Sequence, residues 1–393
     1  MDSGAATATY TLTGANGDTV VLAMTFQTTF LSATNVTFAG SYLVTEGTGR
    51  FVGAEGGGSL SGSGTFQTET SGIGEFSITG TISPPAGLDI QLYAGLTLRG
   101  EVGTVFSIQY VTELAQTNQN AWRCLTFLRL PATNYVWFDA SAPAASLRFY
   151  RAVEVAAPTN MVFVPPGTFR MGSPTNELGR QTDESPQTDV TISRGFWMGQ
   201  YEVTQQEYKA VMRSNPSYFT GNSNRPVELV SWRDATNYCG KLTKQERASG
   251  RIETNCVYRL ATEAEWEYAC RALTSTRYSF CDDPTHTNLT KYAWYDANSG
   301  SASHPVGQKL PNPWGLYDMH GGIAEWCQDR YGKYHGGTAI DPQGPATGSL
   351  HVVRSGAWPF GWDFSRSALR AGHDLDFSGT ALGFRVVLAP GQL

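Results

Sequence analysis

The chain has 393 residues, of which 16% are charged, 40% hydrophobic and 43 are glycine. This balance favours strands and loops over helical bundles, and the length suits two or three domains. A formal charge of −6 argues against a nucleic-acid partner, which calls for a basic face. No apolar run reaches the roughly 20 residues needed to cross a bilayer, so no membrane span is expected.

Composition changes along the chain. Lysine first occurs at Lys209, tryptophan at Trp122 and histidine at His286, and such shifts mark segments of different origin. The start, Met1-Asp2-Ser3-Gly4, has neither the basic residues nor the apolar stretch of a leader. The small, Thr-rich, lysine-poor first half nevertheless suits an extracellular or cell-surface protein.

Residues 1–85 alternate in the β manner, as in Thr19–Phe26, Tyr42–Val44 and Phe76–Ile82, with glycine-rich connections. The stretch Gly47–Gly64 lacks the Gly-Lys-Ser/Thr ending of a phosphate loop and reads as tight turns between short strands. The predicted unit is a glycine-rich β domain whose edges could pair between chains, a route to self-association. Residues 87–154 give a second β unit at sandwich-like spacing, with strands predicted at Phe106–Val111, Trp122–Leu130 and Tyr135–Asp139. Neither unit carries a catalytic constellation. Val155–Asn160 reads as a linker.

Beyond it, Thr204-x-x-Glu207 and Thr262-x-x-Glu265 are capping boxes that open helices over Gln205–Met212 and Glu263–Arg271. Ser231 with Asp234 opens a third. The six cysteines (Cys124, Cys239, Cys256, Cys270, Cys281, Cys327) show no Cys-x-x-Cys pair or zinc spacing. Buried thiols, and one or two disulfides among the five cysteines of the C-terminal part, both remain open readings.

Five ordered blocks fill residues 160–390: Met161–Gly172, Tyr201-Glu-Val-Thr204, Arg259–Ala269, Gly315–Cys327 and Val352–Trp358, with Leu382-Gly-Phe-Arg-Val-Val387 closing the chain. Together they resemble the formylglycine-generating, sulfatase-modifying family. The resemblance implies an α+β, C-type-lectin-like C-terminal domain, here preceded by two small all-β domains. It also implies copper-dependent oxidation by two cysteines just beyond a Gly-Gly-Ser-Tyr/Trp turn. In this chain the turn reads Ser355-Gly-Ala-Trp358, and the two positions hold Phe360 and Ser365. A phenyl ring has no lone pair for soft Cu(I), and a hydroxyl is a poor substitute for thiolate, so no copper and no such oxidation are expected.

The resemblance also implies a calcium loop built from Asp318, Gly321, Ile323 and Glu325. Asp318 stands where the family has Asn, and Gly322 lacks the family's side-chain amide. The competing reading is a structural turn with Glu325 bonded to amides or arginines. The six tryptophans Trp197, Trp232, Trp266, Trp294, Trp314 and Trp326 read mainly as core, and Arg354 and Arg385 as ties between loops.

The segment from Trp358 to Phe377 differs in kind. It mixes Trp358, Phe360, Trp362, Phe364 and Phe377 with Asp363, Ser365, Arg366, Arg370, His373, Asp374 and Asp376. Aromatics among charged groups make recognition surfaces, so these residues are the expected contacts for a protein or glycan ligand. The segment also resembles the closing variable region of retroelement-diversified proteins. An enzyme using other residues of the same groove and a fibre-forming structural protein are the alternatives.

Overall fold

The structure is a computed structural model that describes residues 3–13, 19–30, 35–47, 55–68, 71–83, 94–112, 121–139 and 148–391. The chain divides into two compact units.

The first unit is an antiparallel meander of β1 (Ser3–Thr13), β2 (Thr19–Phe30), β3 (Asn35–Gly47), β4 (Glu55–Thr68) and β5 (Ser71–Ser83), paired in sequence order. Register places Leu22 opposite Val44 and Met24 opposite Tyr42. These four side chains are buried, while Leu43 between them is exposed, which is the period-two alternation of a sheet with one packed face. The glycine-rich stretch departs from expectation. Its Gly56–Gly64 part lies within the single 14-residue strand β4, not in turns between short strands, whereas residues 48–54 lie outside the described residues. Glycine serves close approach there: a Cβ on Gly57 would lie 2.8 Å from the Tyr42 carbonyl oxygen.

In the second unit β7 (Val105–Val111) runs between β10 (Phe149–Glu154) and β8 (Arg123–Arg129), and β6 (Ala94–Arg99) pairs with β9 (Asn134–Asp139). The expected separate domain over 87–154 is corrected here, because these strands belong to the same compact unit as the rest of the chain. The physical reason is a shared core. Val105, Cys124 and Phe127 pack with Phe163, Trp197, Cys256 and Leu388, and Phe127 forms a bridge to Gly195.

Three further sheets follow. β11 (Met161–Val164), β14 (Phe196–Gly199), β21 (Val387–Pro390) and β15 (Cys256–Arg259) pair in that order. β12 (Gly167–Met171), β13 (Thr188–Ile192) and β17 (Gly337–Ile340) form the second sheet. β19 (Ala371–Asp374), β18 (Leu350–Arg354), β16 (Ala324–Arg330) and β20 (Leu382–Gly383) form the third. The helices α1 (Gln205–Met212), α2 (Trp232–Ala248) and α3 (Glu263–Arg271) open on the predicted capping boxes, with α4 (Leu289–Tyr292) a single turn. Every residue of α3 is buried, its four charged positions included. No described helix is long and apolar enough to cross a membrane.

Candidate functional site

Burying α3 brings Glu263, Glu265, Glu267 and Arg271 out of water, and such charges persist only when paired. Arg370 donates to both oxygens of Glu263 at 2.7 Å and lies over the rings of Tyr331 and Tyr334. Arg354 and Arg271 pair with Glu267, and Arg259 with Glu265. Farther along the segment Arg366 bonds Glu184 and Glu177. Burial raises the Glu177 carboxyl, and Arg366 partly offsets it. These pairs form the frame behind the segment expected to recognise a ligand.

The segment therefore divides. Ser365, Arg366 and Arg370 are buried, so the expectation that they contact a ligand is corrected: their partners lie inside the domain. Phe360 and Phe364, 42% and 36% exposed, pack against each other with ring centroids 5.2 Å apart. Trp362 is half-buried on His286, the rings stacked at 3.9 Å, and half-buried Asp363 accepts from Arg366 through its carbonyl. Trp358 is tied down by donating from Nε1 to the Thr380 carbonyl, 3.1 Å away. Its indole meets the edge of Phe219, which in turn meets Tyr218. Tyr218 is 69% exposed and escaped the sequence reading because it lies about 140 residues upstream with no motif around it. A second exposed group holds Phe377 stacked on His373, with Asp374 exposed and Asp376 paired to Arg233 on the surface.

The two thiol positions are occupied differently. Phe360 faces outward, whereas Ser365 is buried with an unpartnered Oγ, its carbonyl accepting from His320 Nδ1 at 2.9 Å. His320 Nε2 accepts from the Ser279 amide at 3.0 Å. This fixes the neutral tautomer, and burial pulls the imidazole down to about 4.

In the expected calcium loop Asp318 Oδ1 is buried without a partner, whereas Glu325 is already engaged. Both oxygens of Glu325 accept from Arg385, at 2.6 and 2.7 Å, and one also accepts from Trp266 Nε1. The carboxylate is neutralised by an arginine, as the competing reading held. Asp318 adopts a left-handed φ of 59° and accepts from the Gly307 amide at 2.7 Å, and burial pushes its carboxyl up to about 6. The Ile323 amide donates to Glu202 at 2.9 Å. A Cβ on Gly322 would lie 2.7 Å from that same Glu202 oxygen. The turn is thus organised around Glu202 and Arg385, and Gly321 and Ile323 belong to it as backbone. Burial pushes the Glu202 carboxyl well up, reinforced by Asp318 and Glu325.

Of the tryptophans expected in the core, Trp197, Trp266 and Trp326 are buried. Trp232, Trp294 and Trp314 are half-buried. Two clefts, of about 700 Å³ beside α1 and about 340 Å³ beside β15, include no residue of 358–377.

Residues 148–390 match the sulfatase-modifying factor enzyme 1-like domain, and the chain belongs to that family. It is 35% identical over 184 residues to a formylglycine-generating enzyme of Streptomyces coelicolor, covering 43% of this chain and 54% of that protein, about half its length. It is 29% identical over 254 residues to a chaperone protein LppX of Paenibacillus barcinonensis, covering 53% and 85% of the two chains. Among solved structures, Treponema denticola variable protein 1 aligns with a TM-score of 0.52 at 30% identity, covering 62% of this chain and 96% of that one. PvdO from Pseudomonas aeruginosa aligns with a TM-score of 0.52 at 31% identity, covering 58% and 94%. The C-terminal domain accordingly has the C-type-lectin-like fold that its motifs imply.

Proposed function

We propose that this member of the sulfatase-modifying factor enzyme 1-like family is a non-catalytic, extracellular binding protein that recognises a protein or glycan through the rim formed by residues 358–364 and Tyr218. The observation that carries the reading is the outward-facing pair Phe360 and Phe364, set on a frame of buried ion pairs at the place where the family keeps its thiols. Rigid rings on a fixed backbone bring contact area at low entropy cost. Similarity to Treponema denticola variable protein 1 supports the further reading that retroelement diversification alters this rim. A neighbouring reverse-transcriptase gene would test that reading.

The binding test is a screen of glycans and surface proteins with the full chain, followed by Phe360→Ala with Phe364→Ala. Loss of central rings at an interface costs about 2 kcal/mol or more, roughly a thirtyfold loss of affinity, while exposed substitutions shift stability by about 0.5 kcal/mol or less. Intact binding by the double variant would place recognition elsewhere.

Self-association is a second role supported by a specific feature. Among the described residues β1 and β5 are each paired on one side only, and such edges template pairing between chains. Sedimentation of the full chain across a concentration series measures it; a single monomeric species throughout would remove it.

A further inference from the structure

Outside the rim and its frame, the described residues of the second unit include a compact group of soft and hard ligand atoms. A thiol sulfur of Cys124, a thiol sulfur of Cys256 and a carboxylate oxygen of Glu253 all lie within 4.8 Å of one another. Cys124 comes from β8, Cys256 opens β15, and Glu253 precedes it in a turn closed by the Cys256 amide donating to the Glu253 carbonyl at 3.0 Å. Both cysteines are buried and Glu253 is half-buried. Asn255 clamps the facing strand, accepting from the Cys124 amide at 2.9 Å and donating to the Cys124 carbonyl at 2.8 Å. The site is therefore held from both sides before anything binds.

We propose that Cys124, Cys256 and Glu253 bind a thiophilic divalent cation of the zinc class. Zinc takes Cys sulfur at about 2.3 Å and carboxylate oxygen at about 2.0–2.2 Å in tetrahedral geometry, which sets neighbouring ligand atoms roughly 3.5–3.8 Å apart. The Cys256 sulfur is 4.0 Å from a Glu253 oxygen and no two of the three atoms are more than 4.8 Å apart, so closing on the ion calls for a contraction of up to about 1 Å. The ligands would be two thiolates and a carboxylate, and a divalent cation would offset most of their charge; among the described residues no arginine or lysine forms an ion pair with Glu253. Cysteines ligate as thiolates, so two thiol protons leave to solvent as the cation enters. Cys124 precedes the family-matching residues 148–390, so the site belongs to this chain's own junction between β8 and β15. The two cysteines are 132 positions apart in sequence, which is why no ligand spacing announced them.

The test uses the full chain, reduced with a phosphine, stripped with chelator and given zinc alone. About one zinc per chain should survive removal of excess metal, and cobalt in its place should give thiolate-to-metal charge-transfer absorption. Glu253→Gln should melt like the wild type without metal and hold zinc about 100-fold more weakly, because even outer partners of a ligand change affinity about 10–100-fold. The charge-transfer band should vanish in Cys124→Ser. No retained zinc and no cobalt band in the wild type would overturn the proposal, as would a Cys124–Cys256 disulfide found in the unreduced protein.

Discussion

At Arg370 the guanidinium satisfies both oxygens of Glu263 and stacks on two tyrosines. Removing one member of a buried pair leaves a bare charge and costs about 3–5 kcal/mol. Arg370→Ala should therefore shift the urea midpoint strongly, and a loss below about 1 kcal/mol would show that the pair is not structural. His320 makes a pH prediction with a definite sign. Its folded-state pKa of about 4 lies below the ordinary 6.5, so the unfolded chain takes up the proton first. The stability it contributes is present above pH 6.5 and lost as pH falls toward 4, about 3 kcal/mol over that window. Between pH 7 and 4.5 the wild type should lose more unfolding free energy than His320→Gln; parallel curves would contradict this. Phe360 and Ser365 were legible in sequence because a motif counts out their positions. Arg366 was not, since its partner Glu184 lies 182 residues away and nothing local distinguishes a buried arginine from an exposed one.

Elements were read well where local chemistry defines them. The boxes at Thr204, Ser231 and Thr262 satisfy orphan amides reciprocally, so the starts of three helices were visible. The 358–377 segment was legible as a mixture of rings and charges but not as a buried strap between two exposed groups, because irregular loops have no period to reveal which face is inside. The Gly315–Cys327 turn was legible as a motif, but the partners of its carboxylates were not. With Glu325 bound by Arg385 and Trp266, calcium and chelator should give the same melting temperature. A ligand at a hundredfold excess over Kd stabilises by about 2.7 kcal/mol, so a calcium-dependent rise of several degrees that Asp318→Ala abolishes would restore the metal site.

Across the whole molecule, strands before residue 154 were visible from alternation, but the boundary drawn there was not. Inward-facing residues such as Phe127 show that a strand packs, not what it packs against. Phe127 is buried among Phe163, Trp197 and Leu388, so Phe127→Ala should destabilise the C-terminal domain by about 3–5 kcal/mol. Unchanged melting of that domain would mean that the two parts fold separately. A family scaffold here carries Phe360 and Ser365 at the two thiol positions, and Phe360 joins Phe364 in an exposed pair of rings. The most direct measurement is incubation of the full chain with a Cys-x-Pro-x-Arg peptide, copper, oxygen and reductant, followed by mass analysis of the peptide. With Phe360 and Ser365 at the thiol positions, the peptide cysteine should remain unconverted; aldehyde above a metal-free blank would contradict the account.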